Sequence, residues 1–329
     1  MKVLHIIGAD LSKKTIDFAT SGGIHIKVSN DSAGYQEFTR WLKKQKIDIL
    51  TTMIVMEHTG LYSYRLEQFL HKHHISFTKV PAYAIKHSMG MVRGKNDKVD
   101  AVRIARYGFE KRDRLVAEGP VDKSLERLQM LYSTRDRLVR SRAGILRAVK
   151  ELRDACGLKK DDLIIRAQLQ LIKDFDHQIT RLEQDIAKVL DSEKALKQNA
   201  ELLQSVTAVG KVVALATIIK THNFTKFTNS RKFACHSGTA PFENSSGSSI
   251  RGKTRVSKLA DQDMKRLLDL AAKSAIQHDK ELREYYQRRL AEGKSKMSTI
   301  NIVRNKILHR MFAVIKRQTP FIKDYLQSV

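Results

Sequence analysis

Cysteine is almost missing from this chain of 329 residues: only Cys156 and Cys235 occur, far apart. That excludes a disulfide framework and a paired-cysteine zinc site. No apolar run approaches the ~20 residues that span a bilayer, so no membrane partner is expected. The opening M-K-V-L-H-I-I-G-A-D puts Asp10 where a secretion signal needs apolar residues. A reduced, soluble, cytoplasmic protein is the expectation. Acid is also short: 35 Asp+Glu stand against 61 Lys+Arg, a net charge of +26. Solubility needs far less, so a polyanionic partner is implied. With 42% hydrophobic residues the chain can build a core, which excludes simple disorder.

The positive excess is uneven. Residues 1–118 carry 20 basic and 12 acidic side chains, 119–200 carry 17 and 13, and 201–329 carry 24 and 10, or net +8, +4 and +14. A surface that grips phosphates explains the concentration in the last third, since each neutralised phosphate releases counterions. Solvated helix faces are the bland alternative for any single cluster.

Three units follow from the patterning. In residues 1–118, Val3 to Ile7, Thr15 to Thr20, Ile24 to Val28, Thr52 to Met56 and Ser76 to Val80 read as strands, with Gly22-Gly23 as a hairpin turn. Helices are predicted at about 32–45 and 62–73. The first three strands should be antiparallel and the later ones parallel, giving an α/β mixed sheet. In residues 119–199, Leu131, Leu138, Ile145 and Leu152 recur every seven positions. Ile172, Phe175, Ile179, Leu182, Ile186 and Val189 alternate by three and four. That is an a/d seam, predicting a central antiparallel coiled coil and a dimerisation arm, with ordinary helix packing as the alternative. Residues 200–329 read as mostly helical, with a Ser/Gly-rich loop at 244–252 and long basic helices at about 261–293 and 298–318, the second stopped by Pro320.

Four carboxylates form the first candidate site. Asp10 follows the first strand, Glu57 ends the fourth, and Asp97 and Asp100 sit three apart where Asn96-Asp97-Lys98-Val99-Asp100-Ala101 should open a helix. Residues three apart share a helix face. If the first and fourth strands are neighbours, all four acids gather at one sheet edge, where open α/β sheets bind ligands. They cannot all ionise without cations, and hard oxygen donors suit Mg²⁺ or Mn²⁺. Two such ions ~4 Å apart are a recurrent device for cutting phosphodiesters. Each acid alone reads as a turn residue or helix cap. The set, beside Arg93, Lys95, Lys98 and Arg103, is what a ribonuclease-H-like nuclease fold presents. The second candidate is Glu243-Asn244-Ser245-Ser246-Gly247-Ser248-Ser249-Ile250-Arg251-Gly252-Lys253-Thr254-Arg255. It is either a flexible polar loop or a nucleophilic serine among cations that stabilise an attacked phosphate. Spacing alone does not choose among its four serines. Arg93, Lys95, Arg251, Lys253, Arg255 and Lys258 are the expected nucleic-acid contacts.

Four blocks in this order (I-G-A-D-L-S-K at 7–13, E-H-T-G-L-Y at 57–62, N-D-K-V-D-A at 96–101 and S-G-S-S-I-R-G at 246–252) resemble the DEDD-type insertion-sequence transposases. Relatives of that family include a pilin-gene invertase, and some members are bridge-RNA-guided recombinases. The resemblance spans essentially the whole chain. It implies a RuvC-like domain with Asp10, Glu57, Asp97 and Asp100 as metal ligands, and a C-terminal transposase domain whose nucleophile falls on Ser246. That serine would form a phosphoserine link to DNA. It further implies a site shared between protomers of a dimer or tetramer, and a structured RNA that pairs with donor and target DNA. His58 stands where the family often has Ala, and Ala208 where a helix-hairpin-helix turn usually has Gly.

Other motifs are weaker. Tyr285-Tyr286 lacks the Arg/His pattern of a tyrosine recombinase. His71, His73 and His74 lack metal-ligand partners, and Cys235-His236 reads as a buried thiol. The rival reading is a junction-resolving endonuclease that uses the same carboxylates to activate water.

Overall fold

The computed structural model describes residues 4–58, 60–88, 96–119, 122–246 and 250–323, with the side chains at 243–246, 250, 251 and 253 outside the description. The chain divides into two compact units, Met1–Val121 and Asp122–Val329.

The first unit is a five-stranded mixed sheet. Its strands are β1 (His5–Leu11), β2 (Thr15–Thr20), β3 (His25–Ser29), β4 (Thr52–Glu57) and β5 (Ser76–Val80), in the order β3-β2-β1-β4-β5. The first three are antiparallel, while β4 and β5 run parallel to β1. Gly23 takes the left-handed conformation (φ +92°) that the β2–β3 turn requires. Helices α1 (Ser32–Lys44) and α2 (Tyr64–Lys72) carry the parallel crossovers. Their apolar stripes bury Phe38, Leu42, Leu66 and Leu70 with Phe18 and Phe77 of the sheet. After α3 (Ala82–Ser88), α4 (Asp97–Glu110) covers the opposite face, where Ile104 packs with Ile6, Met53 and Val55.

One boundary departs from expectation in a way that matters. The first strand does not stop at Ile7, and Asp10 does not lie beyond it. β1 continues through Gly8 and Ala9, and β2 pairs with it from Ile7 to Leu11. Gly8 lies inside the strand, where a Cβ would lie 2.1 Å from the Ala101 carbonyl oxygen and 2.3 Å from the Ala105 nitrogen. The bare backbone admits α4 directly onto the strand instead of ending it.

In the second unit, α5 (Lys123–Cys156) and α6 (Leu163–Ser192) form a helical hairpin. Gly157 turns the chain in the left-handed region (φ +67°), and Asp162 caps α6. Val149, Ile165 and Ile172 pack at the distal end, whereas Leu128, Leu131, Tyr132 and Ile186 join the main core at the base. Leu138, Phe175 and Ile179 of the seam stay half-buried. Arg135–Glu183 and Arg142–Asp176 bridge the two helices, each worth at most about 1 kcal/mol in such exposed positions. The main core gathers α7 (Lys194–Ser205), α8 (Lys211–Thr221), α9 (Ser230–His236), α10 (Gln262–His278), α11 (Lys280–Ala291) and α12 (Lys296–Arg317).

Three expectations change here. The predicted helix at 261–293 is two helices, broken at Asp279. The buried Asp279 carboxylate accepts the Leu282 N–H (3.0 Å) and an Arg310 hydrogen bond (2.7 Å), and so caps α11. The last helix ends at Arg317 because Gln318 turns left-handed (φ +55°), before Pro320 is reached. The Ser/Gly-rich stretch is not a loop throughout: β6 (Pro241–Ser246) and β7 (Ile250–Val256) pair as an antiparallel hairpin.

Candidate functional site

The antiparallel and parallel registers together draw one row of side chains across the sheet. Asp10 on β1 is opposite Asp17 on β2, and Asp17 is opposite Lys27 on β3. On the other side Ala9 pairs with Met56, which sets Glu57 beside Asp10. Directly opposed residues share a sheet face, so Lys27, Asp17, Asp10 and Glu57 form a charged row on the face that α4 covers. Helix α4 brings the other two acids. Asn96 caps it by accepting the Val99 N–H (2.8 Å), which places Asp97 and Asp100 in the first turn, where the helix dipole favours negative charge. All four sequence-predicted acids therefore lie in the first unit around one end of β1.

Asp10 registers this crowding. Its carboxyl is pushed up to about 6, first by burial and then by the charges of Asp100, Asp97, Asp17 and Glu57. The two helix carboxylates are held by internal cations. Lys27 Nζ lies 3.2 Å from Asp97 Oδ2 and 3.3 Å from Asp17 Oδ2, and Arg103 Nη1 lies 2.7 Å from Asp100 Oδ1. Accordingly, no three His, Cys, Asp or Glu side chains among the described residues converge closely enough to coordinate an ion. The donor chemistry nonetheless fits a hard divalent cation: every candidate ligand is a carboxylate, and Asp10 is destabilised for want of positive charge.

Asp17, His25 and Lys27 escaped the sequence reading. Asp17 is buried (3% exposed), and His25 Nε2 lies 2.7 Å from its Oδ1. Part of the signal was present: counting back from the Gly22-Gly23 turn pairs Asp17 with Lys27, whereas its pairing with Asp10 is set by the tight β1–β2 turn that the Ser12 N–H closes on the Thr15 carbonyl.

The other expected residues are scattered or fall outside the description. Arg93 and Lys95 lie outside the described residues, as do the side chains of Ser246, Arg251 and Lys253. The Ser246 backbone ends β6, paired with Ile250. Arg255 and Lys258 are exposed, and neither is tied to a carboxylate among the described residues. His71 and His73 pack edge-on or tilted against Phe77 and Phe69. Tyr285 receives a hydrogen bond from Arg289 (3.1 Å) and lies under Lys306. Ala208 holds a left-handed φ (+68°), the region that favours glycine.

Comparison with known proteins covers both units. Residues 7–155 match a profile described as a transposase, of the DEDD type of IS110, and residues 200–287 match the Transposase IS116/IS110/IS902 family. The chain is 25% identical over 327 residues to the pilin gene-inverting proteins of Moraxella bovis and Moraxella lacunata, covering 96% of this chain and 97% of each relative. It is 24% identical over 158 residues to the insertion element IS110 uncharacterized 43.6 kDa protein of Streptomyces coelicolor, covering 48% of this chain and 38% of that one.

Proposed function

Since the chain belongs to the IS116/IS110/IS902 transposase family and is a DNA recombinase, we propose that it cuts and rejoins DNA through a phosphoserine intermediate on Ser246, with a divalent cation held by Asp10, Glu57, Asp97 and Asp100. The observation that carries the metal assignment is the raised Asp10 carboxyl, surrounded by the other three acids. Mg²⁺ or Mn²⁺ bound there would offset charge developing on the phosphate oxygens. Asp10 and Glu57 supply ligands fixed by the strand ladder. Asp97 and Asp100 supply ligands released from Lys27 and Arg103.

At the serine, Ser246 Oγ forms a bond to the scissile phosphorus. The bond from phosphorus to one deoxyribose oxygen breaks, and the serine proton passes to a base. Attack by a deoxyribose hydroxyl of the partner strand then re-forms a phosphodiester and returns Ser246 to its hydroxyl. The bond energy is conserved throughout, so rejoining needs no external energy source.

A thermal-shift experiment tests the metal assignment. The folded Asp10 carboxyl, at about 6, sits above its ordinary 3.8. In the metal-free protein the stability that Asp10 contributes is therefore fully present below that ordinary value and is lost as pH rises through about 6. With chelator at pH 8, Asp10→Asn should melt a few degrees above wild type, reflecting about 1–2 kcal/mol after solvent screening. The gap should close near pH 4. Adding Mn²⁺ at pH 8 should raise the wild-type melting temperature and leave the variant unmoved. Equal Mn²⁺ responses would remove Asp10 from the ligand set.

We also propose a structured RNA guide as second polyanion, supported by the net charge of residues 201–329. RNA mapping beside the gene should co-purify with the protein, and ribonuclease treatment should abolish target choice. Recombination that proceeds at the same sites without RNA would refute the guide.

A further inference from the structure

After α8 the chain does something unusual: His222, Asn223 and Phe224 take left-handed φ values of +49°, +50° and +66° in succession. Side chains rarely adopt that region, and such strain persists only where surrounding contacts enforce it. Here they do. The Asn223 N–H donates to the Ile218 carbonyl (2.7 Å), and the Phe224 N–H donates to the buried Thr221 hydroxyl (3.1 Å). Asn199 Nδ2 donates to Asn223 Oδ1 (2.8 Å). The turn seats Phe224 edge-on against Phe312 of α12, with ring centres 5.0 Å apart. Phe312 in turn packs on Phe233 of α9 (5.6 Å), and Phe233 on Phe227 (5.3 Å).

These rings fix α9 against the last turns of α12 and leave an open cavity of about 490 Å³ beside them, lined by Thr228, Ser230, Arg231, His309, Phe312 and Lys316. The lining contains two fixed cations, two hydroxyls and no carboxylate. Arg231 and Lys316 are exposed and form no ion pair among the described residues. His309 is held below its usual value by partial burial and by the Arg231 charge, as befits a pocket without an anion. The Asn229 side chain is committed to capping α9 through the Arg231 N–H (2.8 Å).

We propose that this cavity seats a backbone phosphate of duplex DNA, with Arg231 and Lys316 as its cationic contacts and Thr228 and Ser230 as hydroxyl donors. Phe312, the one phenyl ring of the lining, is buried (7% exposed) and packs against Phe224 and Phe233. Little of that ring is free for base stacking, so the contact is to backbone and independent of sequence. Because the aromatic cluster holds both cation-bearing helices in place, little ordering remains to be done on binding. The inference rests on the DNA reading above but uses neither the carboxylate row nor the serine hairpin.

The test measures binding of the full-length protein to a 30-base-pair duplex across a salt series. The double variant Arg231→Gln, Lys316→Gln should bind about 10-fold more weakly at 100 mM NaCl. Its slope of log affinity against log salt should be shallower by about 1, the value for one lost phosphate contact. Lys43→Gln, Lys44→Gln removes the same charge from exposed positions on α1 and should leave the slope unchanged. An unchanged slope in the pocket variant, or equal losses in both variants, would overturn the proposal. A loss confined to structured RNA would overturn it too. Failure of the wild-type protein to bind duplex at all would instead remove the DNA reading beneath it. Both pocket residues are exposed, so the variants should keep the wild-type melting temperature.

Discussion

Ser246→Ala should abolish strand cleavage and the covalent protein–DNA adduct together, by roughly 10³-fold or more, while duplex binding stays within a few-fold of wild type. The two losses must coincide, because the adduct is the cleavage product when serine is the nucleophile. Asp10→Asn should lose cleavage to a similar degree but for another reason: the nucleophile remains and the ligand set does not. A gel that resolves adduct from nicked DNA separates the schemes. If Ser246→Ala still nicks DNA and no adduct forms, water is the nucleophile and the chain is a metal-dependent endonuclease; if the adduct persists, another serine carries it. The neighbouring Ser245 gives an internal control. Ser245 pairs with Arg251 and Ser246 with Ile250 in the β6–β7 ladder. A single serine adduct uses one nucleophile, and the family register puts it on Ser246. Ser245→Ala should therefore retain most activity.

The sheet was readable because its strands are short apolar runs bounded by turns and helices, and Asn96 with two acids in the next turn marked α4 without ambiguity. What the pattern of single elements could not show was pairing between them. Asp17 looks like an ordinary polar residue within β2. Only the register places it between Asp10 and Lys27. The α10–α11 break was hidden for a related reason. Asp279 is tolerable in a helix by propensity, and it becomes a cap because Arg310 on a distant helix holds its carboxylate. The serine hairpin was obscured by its composition, since Ser and Gly usually mark loops. Its ladder runs through Phe242, Ile250, Thr254 and Val256, residues that favour strands.

Gly8→Ala should be one of the most disruptive single-methyl changes in the first unit. The added Cβ would meet the Ala101 carbonyl oxygen at 2.1 Å and the Ala105 nitrogen at 2.3 Å. Both are backbone atoms of α4, so no side-chain rotation relieves the clash. The helix must move off β1, at a cost of about 3 kcal/mol or more. That movement carries Asp97 and Asp100 with it, because both lie in the first turn of α4 while Asp10 stays with the sheet. A position that supplies no ligand itself should therefore control the metal response. The variant should melt well below wild type, and its Mn²⁺-induced stabilisation should shrink or vanish even at temperatures where it is folded. Gly144→Ala supplies the contrast. A Cβ there meets nothing within 4 Å, and the residue lies inside α5, so alanine should be neutral or stabilise by up to about 1 kcal/mol. A folded Gly8→Ala protein that kept the full Mn²⁺ shift would show that the four carboxylates do not depend on the close approach of α4 to β1. The ligand assignment of Asp97 and Asp100 would then fall, while Asp10 and Glu57, joined by the parallel ladder alone, would stand.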